Sequence, residues 1–425
     1  MRPEVYSPCK KNKQIEHRHT DEMDNGQSSV VTEKINQIEE VDRQPYVLPV
    51  VILTAVFFLN FLSRVILSPL VPAVESDLGL SHGTVGSFFL LITAGYFVSL
   101  ICSGFISSRI NHRWTIALSL ATLGCGLLFV SRAAGTGTIA LGMFAIGLFT
   151  GFYLPSGIAA VTSLVHPTRW GRALAIHELA PSLGFLMAPL LAEVLLLFVS
   201  WRGVVATIAG ITLLAGAIFP WIFRAGELHG KRPELHSALA LFKDPSFLVI
   251  TGLFSLGIGS TIGVYSMLPL YLVVEHGIER VEANTLVSLS RLLTLGTVFL
   301  GGWAADRFGK VWTIRFVLSF TGIITILLGL VPVPWLKGMV LLQPLLSVCF
   351  FPAGFALLSS TVPPESRNLA VSFSIPVAFL VGAGLFPAGI GFMGDAGIFE
   401  LGFMTVGALI FTGGILARFT KLGEG

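Results

Sequence analysis

The sequence predicts an all-α membrane protein with twelve transmembrane helices in two pseudo-symmetric six-helix bundles. Three observations carry this expectation. Hydrophobic residues make up 53% of the chain and charged residues 12%, where a soluble domain has roughly 45–50% and about 25%. Twelve apolar runs are each long enough to cross a bilayer as helix, which takes about 20 residues. Features of the first six runs return in the last six at an offset of 197 or 198 residues, and such parallel repeats mark two similar bundles around one central site.

The chain opens on a polar, mixed-charge stretch, residues 1–44. It has no apolar core for a signal peptide and too little apolar surface to fold alone, so it reads as a disordered tail. Cys9, His17 and His19 lie in it, a metal site there being the alternative to plain disorder; the four cysteines show no metal spacing, and Cys102, Cys125 and Cys349 sit in apolar runs, where cysteine behaves as a small hydrophobe. No metal or cofactor is expected. The predicted spans are 47–74, 84–106, 114–132, 137–163, 172–199 and 202–224, then 247–274, 284–304, 313–331, 335–361, 369–393 and 398–418. Gly142, Gly147 and Gly151 form a small-residue stripe on the fourth run, suited to close helix packing.

The longest polar break, 225–246, divides the domains into a first bundle at 45–224 and a second at 247–420. Its second part, LHSALALFKDPSF, is amphipathic enough to lie on a membrane surface. Fourteen lysines and arginines fall in the even-numbered loops and C-terminus against four in the odd-numbered loops. That excess places both termini in the cytoplasm of a multi-pass protein in the cell membrane. A net charge of +3 makes no case for nucleic acid, and a monomer in the lipid bilayer is expected.

One short polar turn reads GWAADRFGK, Gly302 to Lys310, and a weaker copy, GFISSRINHR, runs from Gly104 to Arg113. Gly104 matches Gly302, Arg109 matches Arg307, and Ser108 stands where Asp306 does. Pro155 and Gly157 likewise match Pro352 and Gly354, and Pro189 matches Pro387. The turn resembles the inter-helix loop signature of the major facilitator superfamily of transporters. That resemblance implies a gating role for Asp306, Arg307, Gly302, Gly309, Lys310, Arg109 and Arg113. In it the aspartate sits at the positive end of a neighbouring helix and beside arginines. Ser108 carries no such charge, so the latch is expected to rest on Asp306.

Few ionisable residues lie deep in the apolar runs, and each costs about 2.5–3.5 kcal/mol at a bilayer centre, so each should face a cavity or a partner. Arg64 lies in the first run, with Asn60 and Ser68 on its face, and Arg291 lies in the eighth, with Asn284, Ser288 and Thr294. Arg64 is ~16 Å along the helix from Glu75, too far for an ion pair. Both arginines are candidates to bind an anion between the halves, because the guanidinium fork grips carboxylate or phosphate with two hydrogen bonds. The alternative is that each snorkels to the surface or caps backbone carbonyls. Tyr96, Tyr153, Tyr265 and Gln343 are further candidates for the substrate site.

The stretch Asn60 to Ser81 is similar to the first helix of the anion:cation symporter branch, where an N-[YF]-x-x-R pattern precedes a proline. There the arginine contributes to organic-anion binding, which implies the same for Arg64. The chain departs from that branch at Ser63, where an aspartate is usual, and at Met143, where an arginine is used.

Glu178 and His177, read as opening the fifth helix, are the candidate proton carriers. Burial raises a carboxyl toward neutral pH, and histidine titrates there unaided. An inner-gate pair with Arg172 is the alternative for Glu178. There is no nucleophile elbow, P-loop or zincin helix in the sequence, so no enzyme is expected. The reading is a secondary transporter of a small organic or inorganic anion, working by alternating access and proton-coupled as symport or antiport. Drug or metabolite efflux and a transporter-like sensor or assembly protein are the rivals.

Overall fold

In the computed structural model the described residues are 47–166, 169–223, 229, 244–361 and 367–420. The tail 1–44 and nearly all of the connector 225–246 lie outside them. Among the described residues, eleven helices are long and apolar enough to cross a membrane. The longest, His82–Arg132, turns at Asn111, whose backbone is non-helical at φ 60°, ψ 168°, and so counts as two crossings. The twelve are α1 (Val47–Leu78), α2 (82–110), α3 (112–132), α4 (Thr136–Leu164), α5 (Trp170–Leu196), α6 (Trp201–Ile222), α7 (Pro245–Val274), α8 (Arg280–Phe308), α9 (Lys310–Leu328), α10 (Val333–Thr361), α11 (Ala370–Asp395) and α12 (Phe399–Phe419).

The twelve crossings follow the predicted spans with two adjustments. Helices α2 and α3 reach further toward each other than 106 and 114, because a single residue makes their turn. Asn111 accepts a hydrogen bond from Trp114 N at 3.1 Å and so caps α3. It sits 198 residues before Gly309, which turns α8 into α9 at φ 91°. Positive φ favours glycine and, after it, asparagine. Second, α5 begins at Trp170 and breaks at Glu178. His177 and Glu178 therefore lie inside the helix and do not open it.

Several helices are interrupted, and proline accounts for part of this. Pro69 and Pro72 bend α1 near Ile66, where its two segments meet, since each removes an i→i−4 bond. Two π-turns, Gly259–Gly263 in α7 and Leu380–Leu385 in α11, pack against each other. Their contact is glycine-lined: a Cβ on Gly382 would come within 2.5 Å of Gly259 N. The stripe on α4 behaves as expected, since Gly147 lies against the Ile92 backbone of α2.

The halves meet at one end. The second segment of α1 packs on the last segment of α7, the start of α2 on the end of α11, and α5 on α8. This seam lies at the end away from the GWAADRFGK turn. At the turn's end, Tyr153–Leu164, Trp170–His177 and Phe350–Thr361 pack chiefly within their own halves. The molecule is thus closed at the seam end.

Candidate functional site

Three interrupted helices, α1, α7 and α11, together with α2, line a hollow. Its walls are largely apolar, with Phe61, Val65, Phe89, Ile92, Ile262, Phe379 and Ala383. Its polar groups are Arg64, Ser68, Thr93, Tyr265 and Ser266. Such a lining, apolar with a few convergent polar groups, is what small-molecule sites have in common.

Arg64 is the only charged residue in that lining. Its Cζ lies 4.5 Å from the Tyr96 ring centroid, 5.0 Å from Phe61 and 5.3 Å from Phe379. Its Nη1 is buried without a hydrogen-bond partner, and no ion pair joins it to another described residue. Contacts with aromatic faces return about 2 kcal/mol when desolvated. A hydrogen bond to a charged group is worth about 1.5–3 kcal/mol, so an unfilled donor leaves a real deficit.

Arg291 is 5% exposed and lies behind the hollow. Its Nη2 donates to the Thr261 carbonyl at 2.8 Å, its Nε has no partner, and its Cζ lies 4.7 Å from the Phe185 ring and 4.8 Å from Tyr265. Tyr265 therefore stands between the arginines: its ring lies against Arg291 and it also lines the Arg64 hollow. The two guanidiniums are not symmetry mates. Pro72 and Pro269 set the repeat at 197 residues, which pairs Arg64 with Thr261, the residue whose carbonyl Arg291 caps.

The other expected residues are more dispersed. Asn60 faces inward to its own half, donating to Ser119 Oγ at 3.4 Å and to the Thr150 carbonyl at 3.3 Å. Gln343 donates to the Ser260 carbonyl at 2.7 Å and does not line the hollow. Tyr96 stacks on Arg64. The Tyr153 hydroxyl donates to the Leu53 carbonyl at 2.8 Å and lies 3.0 Å from His177 Nε2. His177 is fully buried, stacks on Phe57 at 4.6 Å, and meets Glu178 Oε1 at 3.2 Å. The Glu178 side chain is 52% exposed. Asp306, Arg307 and Gly309 are exposed, Gly302 and Lys310 half-buried, and no ion pair joins Asp306 or Arg307 to another described residue. Arg109 is exposed, and the Arg113 guanidinium lies 5.9 Å from the Trp114 ring.

The seam holds polar contacts made by residues outside the expected site. Glu193 of α5 accepts from Arg280 at 2.7 Å and from Asn284 at 2.5 Å, both on α8. Asp395 accepts from Gly83 N at 3.0 Å, at the start of α2. Proline supplies further contacts. Pro189 leaves the Phe185 carbonyl without its helical donor, and the Tyr265 hydroxyl fills it at 3.3 Å. Pro269 does the same to the Tyr265 carbonyl, which Ser68 fills at 3.0 Å. The four-residue offset from each proline was the signal available in the sequence.

The comparisons agree with this architecture. The sequence model of the Major Facilitator Superfamily matches residues 53–349, and again 275–423. The chain belongs to the Major Facilitator Superfamily. It is 21% identical over 265 residues to the "Probable nitrate transporter NarT" of Staphylococcus epidermidis, covering 62% of this chain and 68% of the relative. It is 22% identical over 282 residues to the "Uncharacterized transporter YybO" of Bacillus subtilis, where the match spans 61% of this chain and 65% of the relative. Among solved structures, a bacterial homolog of the human lysosomal transporter Spinster, inward-facing and occupied, superposes with TM-score 0.77 at 17% identity. That match covers 89% of this chain and 97% of the other. The nucleoside transporter NupG superposes with TM-score 0.68 at 14% identity, over 87% and 98%. The chain is a multi-pass membrane transporter and not an enzyme.

Proposed function

We propose that this transporter moves a small anion, organic or inorganic, through the hollow between its halves by alternating access, and that Arg64 binds it. The observation that carries the reading is the buried, unpartnered Nη1 of Arg64 in an otherwise uncharged lining. An anion arriving there fills the donor and neutralises a charge held in an apolar interior. The names of the NarT relatives, probable nitrate transporters, agree with an anionic cargo. The basic loops set the turn-signature end in the cytoplasm, so the closed seam faces outward.

Glu178 and His177 are proposed as the proton path. Glu178 is open to solvent, and His177 links it to the buried Tyr153 hydroxyl. The turn signature, with Asp306, is proposed as the latch of the opposite state; with the seam closed, no ion pair joins Asp306 or Arg307 to another described residue. The proposed domain limits remain 45–224 and 247–420, with 1–44 and 225–246 as tail and connector.

The test is flux into proteoliposomes of nitrate, lactate and benzoate, with and without a pH gradient. At least one is transported, and Arg64→Lys lowers its uptake about tenfold or more, since an ammonium cannot make the paired bonds. Full uptake by Arg64→Lys would overturn the assignment. The apolar walls favour a second reading, efflux of hydrophobic drugs or metabolites. That reading gains if no anion moves and expression of the chain protects cells from such compounds.

A further inference from the structure

We infer that Gln343 and Arg291 are positioning residues: they hold α7 in its π-turn, and the π-turn keeps the seam closed. In the turn Gly259–Gly263, Val264 N donates to Gly259 O, a five-residue step. The extra residue takes neighbouring carbonyls out of line with their usual donors, and π-turns of this kind occur often at functional sites. Two of these carbonyls are held from outside α7. Gln343 Nε2 of α10 donates to Ser260 O at 2.7 Å, and Arg291 Nη2 of α8 donates to Thr261 O at 2.8 Å. Both side chains are buried, at 2% and 5% exposure. Without these donors the carbonyls regain partners by rewinding into α-helix.

Rewinding by one residue turns the segment beyond it by about 100° and shifts it by about 1.5 Å. That segment carries Tyr265 two residues later. Tyr265 donates to the Phe185 carbonyl and receives Ser68 on its own, so it crosses the seam in both directions. Neither bond survives such a rotation. Packing favours the register seen, because the Gly382 face of the α11 π-turn lies against Gly259 with no room for a Cβ. The two tethers therefore bear on which end of the molecule is open, whatever the cargo.

The experiment uses the full chain in liposomes, its native cysteines replaced and spin labels placed at the exposed positions 199 and 398, one in each half at the seam end. Electron–electron distance distributions and amide exchange over residues 259–265 are read together. In the parent the short distance dominates. In Gln343→Met the ratio of long to short distances rises about tenfold, the scale of one lost hydrogen bond, and exchange at 259–265 accelerates. Arg291→Met behaves alike, and Arg291→Lys, which keeps a donor for Thr261, returns both readouts toward the parent. If Gln343→Met does not fold, the Arg291→Met and Arg291→Lys pair decides. Unchanged distances and exchange in the folded variants overturn the inference. So does a longer distance without faster exchange at 259–265, which would place the effect outside the π-turn.

Discussion

Arg64 and Arg291 are the same residue type in similarly apolar surroundings, and their neighbours give them different partners. Arg291 spends a donor on a carbonyl of its own half, which is the carbonyl-capping alternative that the sequence left open. Arg64 stacks on three rings and has an Nη1 with nothing to bind. Removing the charge by Arg64→Met is therefore expected to abolish binding of a transported anion, as measured by calorimetry, while raising the melting temperature or leaving it unchanged. An uncompensated charge leaves the interior in that variant. His177 and Glu178 form a second small unit. Glu178→Gln is expected to remove stimulation of uptake by a pH gradient and to leave exchange of labelled against unlabelled anion intact. Gradient-driven uptake at the parental rate in this variant would remove Glu178 from the proton path.

At the scale of elements, breaks in helices build the site. Asn111 turns α2 into α3 in one residue, with a backbone that glycine adopts freely. Asn111→Gly is expected to melt within about a degree of the parent. Asn111→Ala loses the cap to Trp114 and meets strain, together about 1–3 kcal/mol, and melts lower in thermal unfolding. The prolines act on neighbouring helices through the carbonyls they release, and Ser68 and Tyr265 fill these across the seam. How far this was legible varies by element. The twelve crossings could be read from hydropathy and length, and the positive-φ turn at Gly309 from its signature. The π-turns could not, because Gly259 and Gly263 lie in an apolar run where glycine also serves simple packing.

For the whole molecule, the two ends differ in their charged contacts. The seam end uses Glu193 with Arg280 and Asn284, and Asp395 at the start of α2. The other end has the turn signature, with Asp306 exposed. Glu193→Ala is expected to weaken the closed seam by about 1.4 kcal/mol, a tenfold shift. A cysteine introduced as Thr93→Cys in the hollow should then react about tenfold faster with an impermeant thiol reagent added at the seam side. An unchanged rate would show that the pair does not bias the two states.

The amino-acid sequence alone determined the membrane class, the number of crossings and the two-fold repeat. Each of these follows from local hydropathy, chain length and turn chemistry, which need no partner. Tertiary structure decided which polar side chains face the shared hollow and which are used within one half. Asn60 and Arg291 share helix faces with plausible site residues, and Gln343 is a polar group inside an apolar run, yet each is taken by a carbonyl or hydroxyl on another helix. Helical spacing fixes the face a residue lies on, while the group opposite that face is set by how the twelve helices pack.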